Sequence, residues 1–560
     1  MNSFIYIFNI FLICFPSFHY SITTIPEQLK DEKNQGLPGV KIRLTSSGVS
    51  FISKVTANIL ITEVITAVVD LPSQKIRFDG GYVELQNLKM EMKESKHNVN
   101  TKLNSPNNVS IVVSDLGINI NGKVNGNING NNNLIGDVSL ANNGFNVLLG
   151  LNILRNNHGI PNIKLNSCKV KEDMTPKITA NINSLKVDEK EKIELGIAKK
   201  NNEILESMIC SRIEIIIEDR INDRFSLIPN KLPMNVLAET AILEEVVSKM
   251  ALRRRQIRNV ENLRLRRQAL RSLSSSFNLT KANNLLLDYG IVGEPKIINN
   301  ILEIDSVSEI SLNGRGGTPF GANKFNYPED IKDGVMMQLI VSDFVPNTLM
   351  YHGHTIGIFN TRIDSKTPHF STMMKSSCSI SSGVLFCLGD LFPTLKRAFP
   401  NRELAMLYKT IKAPVMKFHD KTSGGVKFNI AGQITILGIE NNGEEKPFGS
   451  FIIEVDSSMK MRLSNTMTKP KVTIENMKFT TESPNVITQQ ELNQAGILTK
   501  EVLQRMVNDM LKEGIPIPIH PLYKLDKPRV RIIERAMLIQ TNFKLNEKLL
   551  KQLTASEVRL

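Results

Sequence analysis

Phe145-Asn146-Val147-Leu148-Leu149-Gly150-Leu151-Asn152-Ile153 is the stretch whose reading decides the fold. Phe145, Val147, Leu149, Leu151 and Ile153 alternate with their neighbours, which puts them on one face of an extended strand. Asn142-Asn143-Gly144 before it and Asn156-Asn157-His158-Gly159 after it read as turns. The same grammar runs over residues 76–185, so long strands in a large, twisted antiparallel meander are expected there. The Asn- and Gly-rich stretch from Asn119 to Asn133 is expected to form hairpin tips.

On either side of this region the period changes to that of a helix. From about Asn202 to Arg224, Glu203, Ser207, Glu214, Glu218 and Asn222 lie outside, while Leu205, Met208, Ile209, Ile213, Ile216 and Ile217 lie inside. Upstream, Lys41-Ile42-Arg43-Leu44 alternates like a strand, and Thr45 or Ser46 is placed to cap a helix immediately after it. Ser50, Lys54, Asn58, Thr62 and Thr66 then recur every four residues in an otherwise apolar run that contains Ile52, Val55 and Ile59. Both helices are apolar over more of their circumference than one packing contact requires, so something besides sheet is expected to cover the remainder.

The second half repeats the plan without residue-level identity to the first. Met336 to Val341 is strand-like, Ser342 or Asp343 is placed to cap a helix through Leu349 and His352, and strands are expected from about 355 to 480. A helix from Gln489 to Leu511 is stopped by Gly514, Pro516 and Pro518, and Val530 to Phe543 returns as one strand.

The opening is apolar from Phe4 to Phe18 and then small and polar near Ser21, which reads as a secretory signal segment, 1–21; its first residues carry no Lys or Arg, so a membrane anchor is the competing reading, for which fifteen apolar-leaning residues are short. Secretion permits disulfides. Removing Cys14 with the signal leaves Cys168, Cys210, Cys378 and Cys387, with three possible connectivities. Neighbourhood in sequence favours 168 with 210 and 378 with 387. Asn108 and Asn278 head acceptor sequons for glycosylation.

The 560 residues exceed what one hydrophobic core usually serves, so two barrel units are expected at 22–237 and 289–560, separated by a basic insertion at 238–288. The net charge of +14 is densest in that insertion, where Lys249, Arg253, Arg254, Arg255, Arg258, Arg264, Arg266, Arg267 and Arg271 cluster. So local an excess argues against a nucleic-acid partner. It leaves a solvated linker, contact with anionic lipid, or proteolytic processing at Arg264-Leu265-Arg266-Arg267.

Four stretches resemble the family of bactericidal/permeability-increasing protein, lipopolysaccharide-binding protein, and the cholesteryl ester and phospholipid transfer proteins. Pro38 to Leu44 with Gly48-Val49 is similar to the family's mature N-terminal motif. Cys168 and Cys210 match its disulfide in context, Asp288-Tyr289-Gly290-Ile291-Val292 resembles the entry to its second half, and Gly514-Ile515-Pro516-Ile517-Pro518 resembles the turn after its last long helix.

The resemblance implies an α+β fold: an elongated boomerang of two similar barrel-like domains joined by a central sheet, each holding lipid in an apolar pocket between helices and curved sheet. Ile52, Val55, Ile59, Leu205, Met208, Ile209, Ile213 and Ile216 are the candidate lipid contacts. The family's basic strand tips are missing, because Asn121 to Asn127 holds only Lys123, and tryptophan is absent from the chain.

The expected function is secreted, extracellular lipid binding or transfer, with a phospholipid or other apolar lipid as partner and transient contact with a membrane or lipid particle. Bacterial lipopolysaccharide recognition in an antimicrobial role is the first alternative, and a secreted hydrolase the second. No Gly-x-Ser-x-Gly, His-Glu-x-x-His, phosphate-binding Gly-rich loop or Cys-x-x-Cys occurs, so no catalytic group, metal or cofactor is expected. Gly314-Arg315-Gly316-Gly317 reads as a loop, and His352 and His354 lack a clear third metal ligand.

Overall fold

The computed structural model describes residue 29, residues 37–233 and residues 284–554, apart from short internal stretches of which 325–333 and 379–386 are the longest. The expected signal segment, the basic insertion with Arg264, Arg266 and Arg267, and Asn278 lie outside the described residues.

The chain is α+β: among the described residues an eight-stranded antiparallel sheet lies in the first half, a seven-stranded one in the second, and a six-stranded sheet takes strands from both. Period-2 alternation produces the long strands. Asn108–Ile128 and Asn131–Arg155 pair antiparallel, and Ile118, Ile120, Val124, Val138, Leu140, Phe145 and Val147 are buried on one face. Gly81–Lys93 and Pro161–Glu172 extend this sheet on either side.

Asn142-Asn143-Gly144 is not a turn. The strand runs through it, and the pairing register shifts there opposite Asp115, whose φ is 63°, while Gly144 takes φ 108°. These left-handed residues form an irregularity that bends a long strand into a barrel wall instead of ending it. Likewise, the Asn/Gly-rich stretch is mostly strand, with Asn119 and Asn121 alternating against buried Ile118 and Ile120. The turn at Asn156 to Gly159 does form, and the Asn156 side chain accepts hydrogen bonds from the backbone of His158 and Ile160.

Helix α1 (Ser46–Ile65) starts at Thr45, whose hydroxyl accepts a hydrogen bond from the Gly48 N–H. Helix α2 (Val187–Ile215) begins well before Asn202 and passes into a π-helical segment, Ile216–Asn222. In the second half, α3 (Phe344–Thr355) and α4 (Gln489–Met510) match the expected positions. The Ser342 hydroxyl accepts the Phe344 N–H, while the Asp343 carboxylate binds Arg535. The region expected as one strand from Val530 is a hairpin, Tyr523–Ile533 with Ala536–Leu545, turning at Arg535 with φ 61°. An unanticipated helix, α5 (Glu547–Thr554), comes after it.

The central sheet interlocks the two halves. Its order is Lys296–Ile298, Ile301–Ser306, Val40–Thr45, Met337–Ser342, Ala536–Leu545, Tyr523–Ile533. Val40–Thr45, the first strand among the described residues, therefore lies between two strands of the second half. Arg43 fixes the register, bonding Glu303 on one side at 3.0 Å and the Gln338 side-chain oxygen on the other at 2.8 Å.

Candidate functional site

Between α1, α2 and the curved N-terminal sheet lies a cavity of about 540 Å³. Each wall arises from a local pattern. The strands contribute Ile111, Val113, Phe145, Val147 and Leu149, and the central sheet contributes Ile42, Leu44, Leu302 and Ile304. The π-helical segment shapes the third wall. Its wider turn brings Ile216 and Ile221, five residues apart, onto the cavity side together with Ile213 and Ile217. Chain from beyond the last long helix completes the enclosure with Tyr523, Leu545 of its hairpin and Leu550 of α5.

Of the residues expected from sequence, Ile52, Ile209, Ile213 and Ile216 lie on the cavity wall. Leu205 is fully buried in the core cluster of the N-terminal unit and Met208 packs against that cluster, so both serve the sheet contact instead. Val55 is half-buried on α1 away from the wall, and the Ile59 side chain lies outside the described residues. Periodicity marks an apolar face; it does not say which part of that face meets protein and which meets empty space.

The lining is almost wholly apolar and contains no carboxylate among the described residues. Tyr289 and Tyr523 also face the cavity, and burial pushes both phenols above their ordinary range, so they remain neutral hydroxyls. The Tyr523 ring is held edge-on to Phe543, with centroids 5.6 Å apart. Asn230 donates to the His158 carbonyl, and Ser306 accepts from Ser308. Arg212 is the one cationic group on the described lining.

Both disulfides favoured by neighbourhood are formed. Cys168–Cys210 ties the strand Pro161–Glu172 to α2 with the two Cα atoms 5.7 Å apart, one residue from Ile209 and two from Arg212. Cys378–Cys387 closes a short loop in the second half. His352 contacts the Thr318 hydroxyl at 3.1 Å and sits 3.9 Å from Glu309, while His354 pairs with Thr410 at 2.6 Å. The two imidazoles thus serve different neighbours. Asn108 is half-buried, and its amide donates to Asn152 at 3.0 Å.

Two antiparallel-sheet units, a shared central sheet and an apolar chamber between helices and sheet define a class of α+β proteins. Residues 280–545 match the LBP / BPI / CETP family, C-terminal domain. The chain is 23% identical over 261 residues to bactericidal permeability-increasing protein of Sebastes schlegelii, covering 46% of this chain and 52% of that protein. It is 24% identical over 270 residues to lipopolysaccharide-binding protein of Bos taurus, with the same coverage. The chain thus spans about half the length of the curated relatives it matches. A crystal structure of lipopolysaccharide binding protein is similar over 91% of this chain and 99% of that one, at 16% identity and a TM-score of 0.49.

Proposed function

We propose that this protein is an extracellular lipid carrier that shelters acyl chain in the cavity between α1, α2 and the N-terminal sheet. The observation that carries this reading is an apolar chamber with no acidic residue on its described lining, at a volume typical of small-molecule pockets. Taking a methylene as about the size of a water in the liquid, roughly 30 Å³, 540 Å³ accommodates on the order of eighteen methylenes. That is at least one long acyl chain. Burying it contributes on the order of 14 kcal/mol gross. A membrane offers nearly the same burial, so exchange between the two is close to balanced and needs no catalytic group. Two disulfides suit an oxidising, extracellular setting. Units at 22–237 and 289–560 with a linker at 238–288 remain our division of the chain.

Native mass spectrometry of the purified protein, with lipid extraction, tests this directly. A co-purifying lipid, or uptake of labelled fatty acid from vesicles, is the expected result. Neither co-purification nor uptake overturns it.

A second reading, contact with anionic lipid surfaces such as lipopolysaccharide, draws on one observation in the second half. Lys460 faces Lys471 and Arg462 faces Lys469 across paired strands, all four exposed. Like charges directly opposite destabilise a sheet, so an anionic surface would relieve them. Co-sedimentation with anionic but not zwitterionic vesicles, lost in high salt, is the expected signature; equal binding to both rejects it.

A further inference from the structure

Arg212 sits where a cation has no ordinary reason to be. It lies on α2, and its neighbours one turn away in each direction are Met208, Ile209, Ile215 and Ile216, all apolar. The usual arrangement on a helix surface, a carboxylate three or four residues off, is absent. Among the described residues no ion pair or hydrogen bond holds its side chain, and the cavity it lines contains no Asp or Glu. Two other polar groups on the wall have partners: Asn230 has the His158 carbonyl and Ser306 has Ser308.

Two further facts fix the place of this cation. Cys210, two residues earlier, is bonded to Cys168 on the sheet, so this turn of α2 is covalently fixed beside the cavity. Arg212 itself is half-exposed, which puts it at the margin between chamber and solvent while Ile209 and Ile213 beside it line the interior. An Arg in that position keeps its stem along apolar surface and its head in water. A guanidinium at the mouth of an apolar chamber matches the carboxylate or phosphate of a lipid whose chain is inside, and such charge-assisted bonds are about twice as strong as neutral ones.

Resting on the carrier reading above, we propose that the cavity selects lipids with an anionic head group, a carboxylate or a phosphate monoester, and that Arg212 is the residue that binds it. The chain supplies affinity common to all lipids of equal length. The head group supplies the discrimination.

The test compares three probes of equal chain length on the full chain: palmitic acid, palmitoyl lysophosphatidic acid and the uncharged monopalmitoylglycerol, each by displacement of a fluorescent fatty acid. Wild type is expected to bind at least one anionic probe roughly tenfold or more tighter than the glycerol ester. Arg212→Gln is expected to remove that margin by weakening the anionic probes far more than monopalmitoylglycerol, and Arg212→Lys to restore part of it. The two anionic arms separate a carboxylate from a phosphate site. Equal binding of all three probes by wild type, or a margin that survives Arg212→Gln, overturns the assignment while leaving the carrier intact. Failure of every probe, the glycerol ester included, overturns both. Thermal denaturation of both variants shows that each is folded, and Arg212→Lys carries the decision if Arg212→Gln is not.

Discussion

Asn222 pairs with Ile163 as a strand would: the Ile163 N–H donates to the Asn222 side-chain oxygen at 2.9 Å, and the Asn222 amide donates to the Ile163 carbonyl at 2.7 Å. Asn508 does the same to Val472 in the second half, at 2.8 Å in both directions. Each Asn projects from the helical segment that covers an otherwise open edge strand, and it satisfies two backbone groups that would be orphaned there. Glu206 accepts from Val170, Glu194 from Ala180 and Gln504 from Ile474, continuing the same cover.

Asn222→Leu and Asn508→Leu are therefore each expected to destabilise their own unit by about 1–3 kcal/mol, because two backbone groups lose partners with little change in side-chain size. Urea denaturation checks this. A loss under about 0.5 kcal/mol in both variants would show that water replaces the bonds.

Cys210→Ala removes a closure of 42 residues, for which the chain-entropy model gives about 4 kcal/mol. We expect reduced stability and yield, with lipid preference unchanged in whatever folds. Unaltered thermal stability in the mutant contradicts this.

The Asp343 carboxylate is almost wholly buried, held by Arg535 through contacts of 2.6 and 3.1 Å and by the Phe418 N–H. Burial nonetheless pushes its pKa above the ordinary carboxylate range, against the pull of Arg535. Its protonated form is thus the better tolerated one in the fold, and the stability linked to that proton is present below the unfolded pKa and lost as pH rises through the folded one. Arg535→Ala leaves the buried charge uncompensated and is expected to cost about 3–5 kcal/mol at neutral pH. That deficit should shrink on acidification as Asp343 takes up its proton; a deficit that grows instead would refute the assignment.

Ile213→Trp places a larger apolar group into the cavity from its helical wall. Uptake of labelled fatty acid is expected to fall at least tenfold while the melting temperature holds or rises, since the added area is buried in existing space. Unchanged uptake would mean that the guest sits elsewhere.

The sequence made the element types readable wherever one face meets one environment, as in the alternation from Phe145 to Ile153 and the apolar positions of α2. It misled where a local signal served a different end. Asn142-Asn143-Gly144 has turn chemistry, yet long strands on both sides keep pairing and the Gly becomes a bend. The polar start of α2, from Val187, gives weak periodicity because little of it is buried beyond Ile193 and Ile197. Tyr523, Leu545 and Leu550 reach the cavity from the far end of the chain, a placement set by central-sheet pairing that no local window contains. The cavity itself is a mismatch between surfaces, so Leu205 and Ile209 look alike in sequence and both pack on the same core, yet only Ile209 also lines the cavity.

The position of Val40–Thr45 has a consequence for biosynthesis. Arg43 meets Glu303 only across 260 residues of chain, and Gln338 across 295. At about 5–20 residues per second, the ribosome needs roughly 13–50 s to deliver the nearer partner. For that interval the first strand emerges with both edges unpaired and alternate apolar side chains uncovered, a natural client for a chaperone. Translation that stops before residue 301 yields a chain with a nearly complete first barrel and no place to put its opening strand.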